Sequence, residues 1–69
     1  MVYLTEREKE VIEQLTDGKT NAQIADNLCI SIHTVKSILE NIYLKIGFHN
    51  RVQIAIWAFK NIYQSKNSE

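Results

Sequence analysis

Sixty-nine residues make one domain and leave no room for a second, and a chain this short buries only about 60% of its unfolded surface, so its stability margin is thin. One cysteine, Cys29, excludes an internal disulfide staple, while the lack of proline and the presence of only Gly18 and Gly47 argue against a turn-rich all-β fold and for helices. The formal net charge is zero, which denies the chain the basic surplus usual for a nucleic-acid binder, but the signs are unevenly spread. Residues 1–17 set Arg7 and Lys9 against Glu6, Glu8, Glu10, Glu13 and Asp17, a net of −3. Residues 18–51 set Lys19, Lys36, Lys45 and Arg51 against Asp26 and Glu40, a net of +2, and residues 52–69 carry +1. That balance permits nucleic-acid binding without requiring it, since a solvated charged surface has the same look. Glu6, Glu8 and Glu10 stand where a secretory segment is apolar, and no stretch approaches the ~20 apolar residues of a spanning helix. The expectation is a cytoplasmic domain with no membrane contact, in which helix packing and self-association replace staples.

In chain order, Thr5 and Glu8 form a capping box that opens a first helix over about 6–16. Val11, Ile12 and Leu15 share its core face, with Leu4 just before it, and the carboxylates of Glu6, Glu8, Glu10 and Glu13 are read as one charged surface. Asp17-Gly18 stops it. Thr20 and Gln23 form a second box for a short helix over about 21–27, with Ile24, Ala25 and Leu28 turned inward. Leu28-Cys29-Ile30 is a tight apolar link, and Cys29 is read as a small buried apolar residue. Ser31 caps a third helix over about 32–46, whose Val35, Ile38, Leu39, Ile42 and Ile46 make a core stripe at spacings of three and four. Thr34, Lys36, Ser37, Glu40, Asn41 and Lys45 fall on its remaining surface, and Gly47 ends it. Asn50 and Gln53 start a fourth helix over about 51–63, apolar on two stripes: Ile54, Ala55, Ala58 and Ile62, then Val52, Ile56, Phe59 and Tyr63, with Trp57 at the margin. Residues 64–69 are polar and are expected to fray. The fold class is all-α: a three-helix core plus a C-terminal helix, in a single domain over 1–69.

A short helix, a tight turn and a longer helix with a polar outer face make a helix-turn-helix. In that arrangement the second helix enters the major groove and its early residues meet base edges. The blocks 4–12 (LTEREKEVI), 18–25 (GKTNAQIA), 30–36 (ISIHTVK) and 45–51 (KIGFHNR), in this order and spacing, resemble the LuxR-type (FixJ or GerE type) helix-turn-helix family over residues 4 to about 60. The resemblance implies the DNA-binding domain of a bacterial transcription regulator, commonly placed behind a receiver or small-molecule sensor domain. Double-stranded DNA would be its ligand, read as an inverted repeat by a homodimer joined through the fourth helix, with RNA polymerase a further partner.

Carried over position by position, Lys36 matches the family's main recognition lysine, with a guanine edge or a phosphate in reach. Ser37 and Glu40 match base-facing positions, with Asn41 beside them. Thr34 matches a threonine near the start of that helix, and Thr20 and Asn21 open the preceding one, where backbone N–H groups and the helix dipole suit a phosphate. Lys45 and Arg51 match basic positions near the DNA backbone or the core edge. The chain departs from the family pattern at Ile38, Glu40 and Ala22. Glu40 can accept from a cytosine amino group or repel phosphates. Val52, Ile56, Trp57 and Phe59 are the candidate dimer interface.

Each reading has a plainer competitor. Lys36 and Glu40 are otherwise solvated charges, and the second stripe is otherwise core packing or a docking surface for another domain. For Arg51 a structural salt bridge to Glu8 or Glu10 is preferred over DNA contact. His33 is read as solvent-exposed rather than phosphate-bound, and His49 is given no role. Cys29 and His33 lie four residues apart but lack the further ligands zinc needs, so no metal or other cofactor is expected. No phosphate loop or activated nucleophile is present, so the chain is not read as an enzyme. The rival function is a protein-interaction module of the same fold that has lost strong DNA binding and pairs with another regulator.

Overall fold

A computed structural model describes residues 2–63, with the side chain of Tyr63 left aside; the expected fraying of 64–69 lies outside the described residues. Four helices follow one another: α1 (Glu6–Thr16), α2 (Asn21–Leu28), α3 (Ile32–Ile46) and α4 (Arg51–Ala58), the last running on into a π-helical turn over Phe59–Tyr63. The described residues contain no strand, so the all-α expectation and the four starts hold. Each start has a local chemical cause. Thr5 Oγ1 accepts from the Glu8 N–H while Glu8 Oε1 accepts from the Thr5 N–H, and Thr20 and Gln23 repeat the exchange. Ser31 Oγ accepts from the Thr34 N–H, and Asn50 Oδ1 from the Val52 N–H. Side-chain oxygens thereby satisfy N–H groups that a helix start otherwise leaves orphaned.

The helix ends are as specific. After α1, the N–H groups of Gly18 and Lys19 donate to the carbonyls of Leu15 and Gln14, with Gly18 at φ 85°. This is the Schellman arrangement. After α2, those of Cys29 and Ile30 donate to Asp26 and Ala25 in the same pattern, but the left-handed residue is Cys29 (φ 60°, ψ 43°). The left-handed turn takes Cys29 off the helical path on which it would follow Ala25 by four, and Cys29 is exposed, contrary to its reading as a buried apolar residue. Gly47 at φ 93° ends α3 with a 2.7 Å bond from its N–H to the Tyr43 carbonyl.

α1 packs on each of the other three helices, and α2 packs on α3. Their shared core is Leu4, Val11, Ile12, Leu15, Ile24, Ala25, Val35, Leu39, Ile42, Ile54 and Ala58, with Ile12, Ile24, Ile42 and Ile54 wholly buried. Every helix contributes at least one of these four isoleucines, which suits a chain with too little core to divide. Glu8 departs from the expected charged surface. It is 6% exposed and accepts from Lys45 Nζ at 2.7 Å, tying the start of α1 to the end of α3. Its spacing of three from Val11 and four from Ile12 places it on the core face of the helix.

Candidate nucleic-acid interface

The core stripe of α3 decides what its opposite side presents. Val35, Leu39 and Ile42 are buried and Ile38 and Ile46 are half-buried, which turns Lys36, Ser37, Glu40 and Asn41 to solvent. None of these four makes a side-chain hydrogen bond or ion pair within the described residues. His33 and Leu44 lie on the same side; Leu44 is 75% exposed. Reasoning from the sequence passed over Leu44, although its place outside the three-and-four spacing of the stripe is a signal available there. Thr34 sits at the first turn, its Oγ1 3.0 Å from Ser31 Oγ, so the capping serine orients that hydroxyl.

The end of α2 leads through the turn into α3, and the start of α2 lies one eight-residue helix before it. The capping box uses the Thr20 N–H and one lone pair of its oxygen, and the hydroxyl proton remains a donor. The N–H groups of Asn21 and Ala22, at the first two helical positions, have no intrahelical acceptor. Thr20, Thr34, Lys36, Ser37, Glu40 and Asn41 are thus exposed, and Asn21 half-buried, on the two helices and caps of the helix-turn-helix.

Two basic residues are held within the fold, and Arg51 not by the partners expected of it. Lys45 is held by Glu8 at 2.7 Å, with the Tyr3 ring 6.0 Å from its ammonium. Burial pushes the Glu8 carboxyl up, but the hydrogen bonds from Lys45 and the Thr5 N–H, and the lysine's charge, outweigh it and hold the group below its ordinary 4.5. Arg51 makes no ion pair with Glu8 or Glu10: it donates to Asn21 Oδ1 at 2.6 Å and to the Lys19 carbonyl at 2.9 Å. The reason is position. Lys45 takes the buried carboxylate, Arg7 takes Glu10, and the first turn of α4 lies against the loop before α2.

On α4 the first apolar stripe is inside, with Ile54 and Ala58 buried and Ala55 and Ile62 half-buried. Of the candidate interface, Val52, Ile56 and Phe59 are exposed at 64%, 50% and 57%, and Trp57 is half-buried against the core. Ile56 and Trp57 also line an open depression with Phe48, Gln53, Lys60 and Asn61. Among the described residues no cluster of His, Cys, Asp and Glu has the makings of a metal site, and no helix is long and apolar enough to cross a membrane.

Comparison with known proteins gives this arrangement a context. Residues 2–58 match the model of the family described as bacterial regulatory proteins, luxR family. The chain is 46% identical over 59 residues to the CsgBAC operon transcriptional regulatory protein of Escherichia coli, covering 86% of this chain and 27% of that protein. It is 41% identical over 58 residues to the transcriptional regulatory protein LiaR of Bacillus subtilis, covering 84% and 28%. It is 36% identical over 55 residues to the DNA-binding transcriptional activator DevR/DosR of Mycobacterium tuberculosis, covering 80% and 25%. The chain spans about a quarter of the length of the curated relatives it matches.

Proposed function

This chain belongs to the luxR family of bacterial regulatory proteins, and we propose that it binds double-stranded DNA for a transcription regulator, with α3 in the major groove. The observation that carries the reading is the outer side of α3: Lys36, Ser37, Glu40 and Asn41 stand exposed and unpaired on a helix whose other side is locked into the core. A side chain that meets no partner in its own fold is free for base edges and phosphates, and rigid backing keeps its aim. Lys36 takes a guanine edge or a phosphate, Ser37, Glu40 and Asn41 face bases, and Thr20, Asn21 and Thr34 hold phosphates together with the helix starts. Lys45 reaches a phosphate only by sharing its ammonium with Glu8. A second copy docks through Val52, Ile56, Trp57 and Phe59 to give a two-fold dimer on an inverted repeat. In the longer regulators of this family a receiver or sensor domain would govern that dimer, and RNA polymerase would be its downstream partner, in the bacterial cytoplasm.

One observation favours the rival reading as a protein-interaction module: the exposed Glu40 carboxylate on the groove side of a chain with zero net charge. Fluorescence anisotropy with labelled promoter fragments at two salt concentrations separates the two. DNA binding predicts affinity that falls with salt and a loss of about tenfold or more in Lys36→Ala, with the melting temperature unchanged because Lys36 is exposed and unbonded. Binding indifferent to that substitution removes α3 from the groove.

A further inference from the structure

Arg51 sits at the first position of α4, half-buried, with its guanidinium committed to the loop before α2. It donates to the Asn21 side-chain oxygen at 2.6 Å and to the Lys19 carbonyl at 2.9 Å. A guanidinium has no acceptor, so the amide of Asn21 can face it only oxygen first. The Nδ2 group of Asn21 is then directed away. It makes no hydrogen bond within the described residues and it is not a buried orphan, so it meets solvent with two donors and no acceptor. Phosphate oxygens only accept.

We propose that Arg51 is a positioning residue for DNA-backbone recognition, which fixes the Asn21 amide with its oxygen inward and its donors outward for a phosphate. The proposal rests on the DNA-binding reading above and adds a role for a residue that itself touches no DNA. Unrestrained, the amide rotates through orientations that present its oxygen to the phosphate, and binding must first select the right one. The second bond, to the Lys19 carbonyl, anchors the guanidinium itself, so that it meets the Asn21 oxygen at a fixed place.

The test is a double-mutant cycle in DNA affinity. The wild-type chain selects duplexes from a random-sequence pool, and one selected duplex is titrated with wild type, Asn21→Ala, Arg51→Met and the double variant at two salt concentrations, beside thermal melts. Arg51→Met is expected to weaken binding about three- to tenfold, the weight of one hydrogen bond, to weaken it no further once Asn21 is alanine, and to leave the salt slope unchanged. Should Arg51→Met fail to fold, Arg51→Gln, neutral and too short to hold both acceptors, carries the same cycle. Additive losses with a slope shallower by about 0.9 mean that Arg51 meets a phosphate directly, and equal losses in both Asn21 backgrounds at an unchanged slope mean a merely structural role; either overturns the proposal. A pool from which wild type enriches nothing overturns the DNA-binding reading itself, and this one with it.

Discussion

Cys29 holds a left-handed backbone conformation that Gly18 and Gly47 adopt at the other two positive-φ positions. A residue with a Cβ pays about 1–2 kcal/mol there, and Cys29 recovers nothing by burial because its side chain is exposed. Cys29→Gly should therefore raise the thermal midpoint by a few degrees, the relief being offset in part by the greater freedom of glycine in the unfolded chain. A melt followed by circular dichroism reads this, and a lowered midpoint counts against the strain account. Glu8 shows the opposite economy: a buried carboxylate kept charged by its partners. Because its folded value lies below 4.5, the stability it contributes is fully present above the unfolded value and is lost as pH falls through the folded one. Urea midpoints at pH 7 and in the acid range below 4.5 should thus diverge less in Glu8→Gln than in wild type. Lys45→Met at pH 7 leaves the carboxylate buried and unpaired and should cost about 1–2 kcal/mol, discounted because the lysine is 35% exposed. Restoration of that loss by adding Glu8→Gln completes the check.

At the scale of helices, the parts readable in the sequence are those whose causes lie within a few residues. The boxes at Thr5 and Thr20, the Ser31 cap and the Gly47 stop each join groups no more than four positions apart, so local chemistry names both partners. The stripe of α3 was equally visible, because the buried Val35, Leu39 and Ile42 recur at helical spacing, and with it the candidate interface. What was not visible depends on distance along the chain or on backbone form. Arg51 finds Asn21 across 30 residues and Lys45 finds Glu8 across 37, choices among several acceptors that only packing makes. The fourth helix, expected as one run over 51–63, changes to a π turn after Ala58; its apolar stripes hold no signal for that. Within α4, Val52 is the cleanest probe of the proposed dimer, since at 64% exposure it leaves the core alone. Val52→Asp should shift sedimentation toward monomer with the melt of the isolated domain nearly unchanged. An unchanged sedimentation coefficient at concentrations where wild type is dimeric would remove α4 from the interface.

At the scale of the molecule, two basic side chains lock the helix-turn-helix unit to its frame at opposite ends. Lys45 joins the end of α3 to α1, and Arg51 joins the start of α2 to α4. Both are thereby diverted from free duty on a duplex, and of the basic residues near the α2–α3 surface Lys19, Lys36 and Arg51 lack a carboxylate partner among the described residues. If Arg51 works through Asn21, each copy neutralises about two phosphates, and log affinity should fall against log salt with a slope of about −2 per copy and twice that for a dimer. Titrations across a range of potassium chloride measure it, and a slope far steeper would require cations beyond those seen here. The uneven placing of charge, acid in α1 and the mild positive balance from Lys19 onward, has its own effect on the approach to a duplex. A neutral body feels almost no pull from a distant polyanion; what it feels is a torque that turns its electropositive end forward. If this domain binds DNA as proposed, then by itself it would be captured near the unassisted diffusive pace, with ionic strength acting chiefly on how long the pair stays together and little on how often it meets.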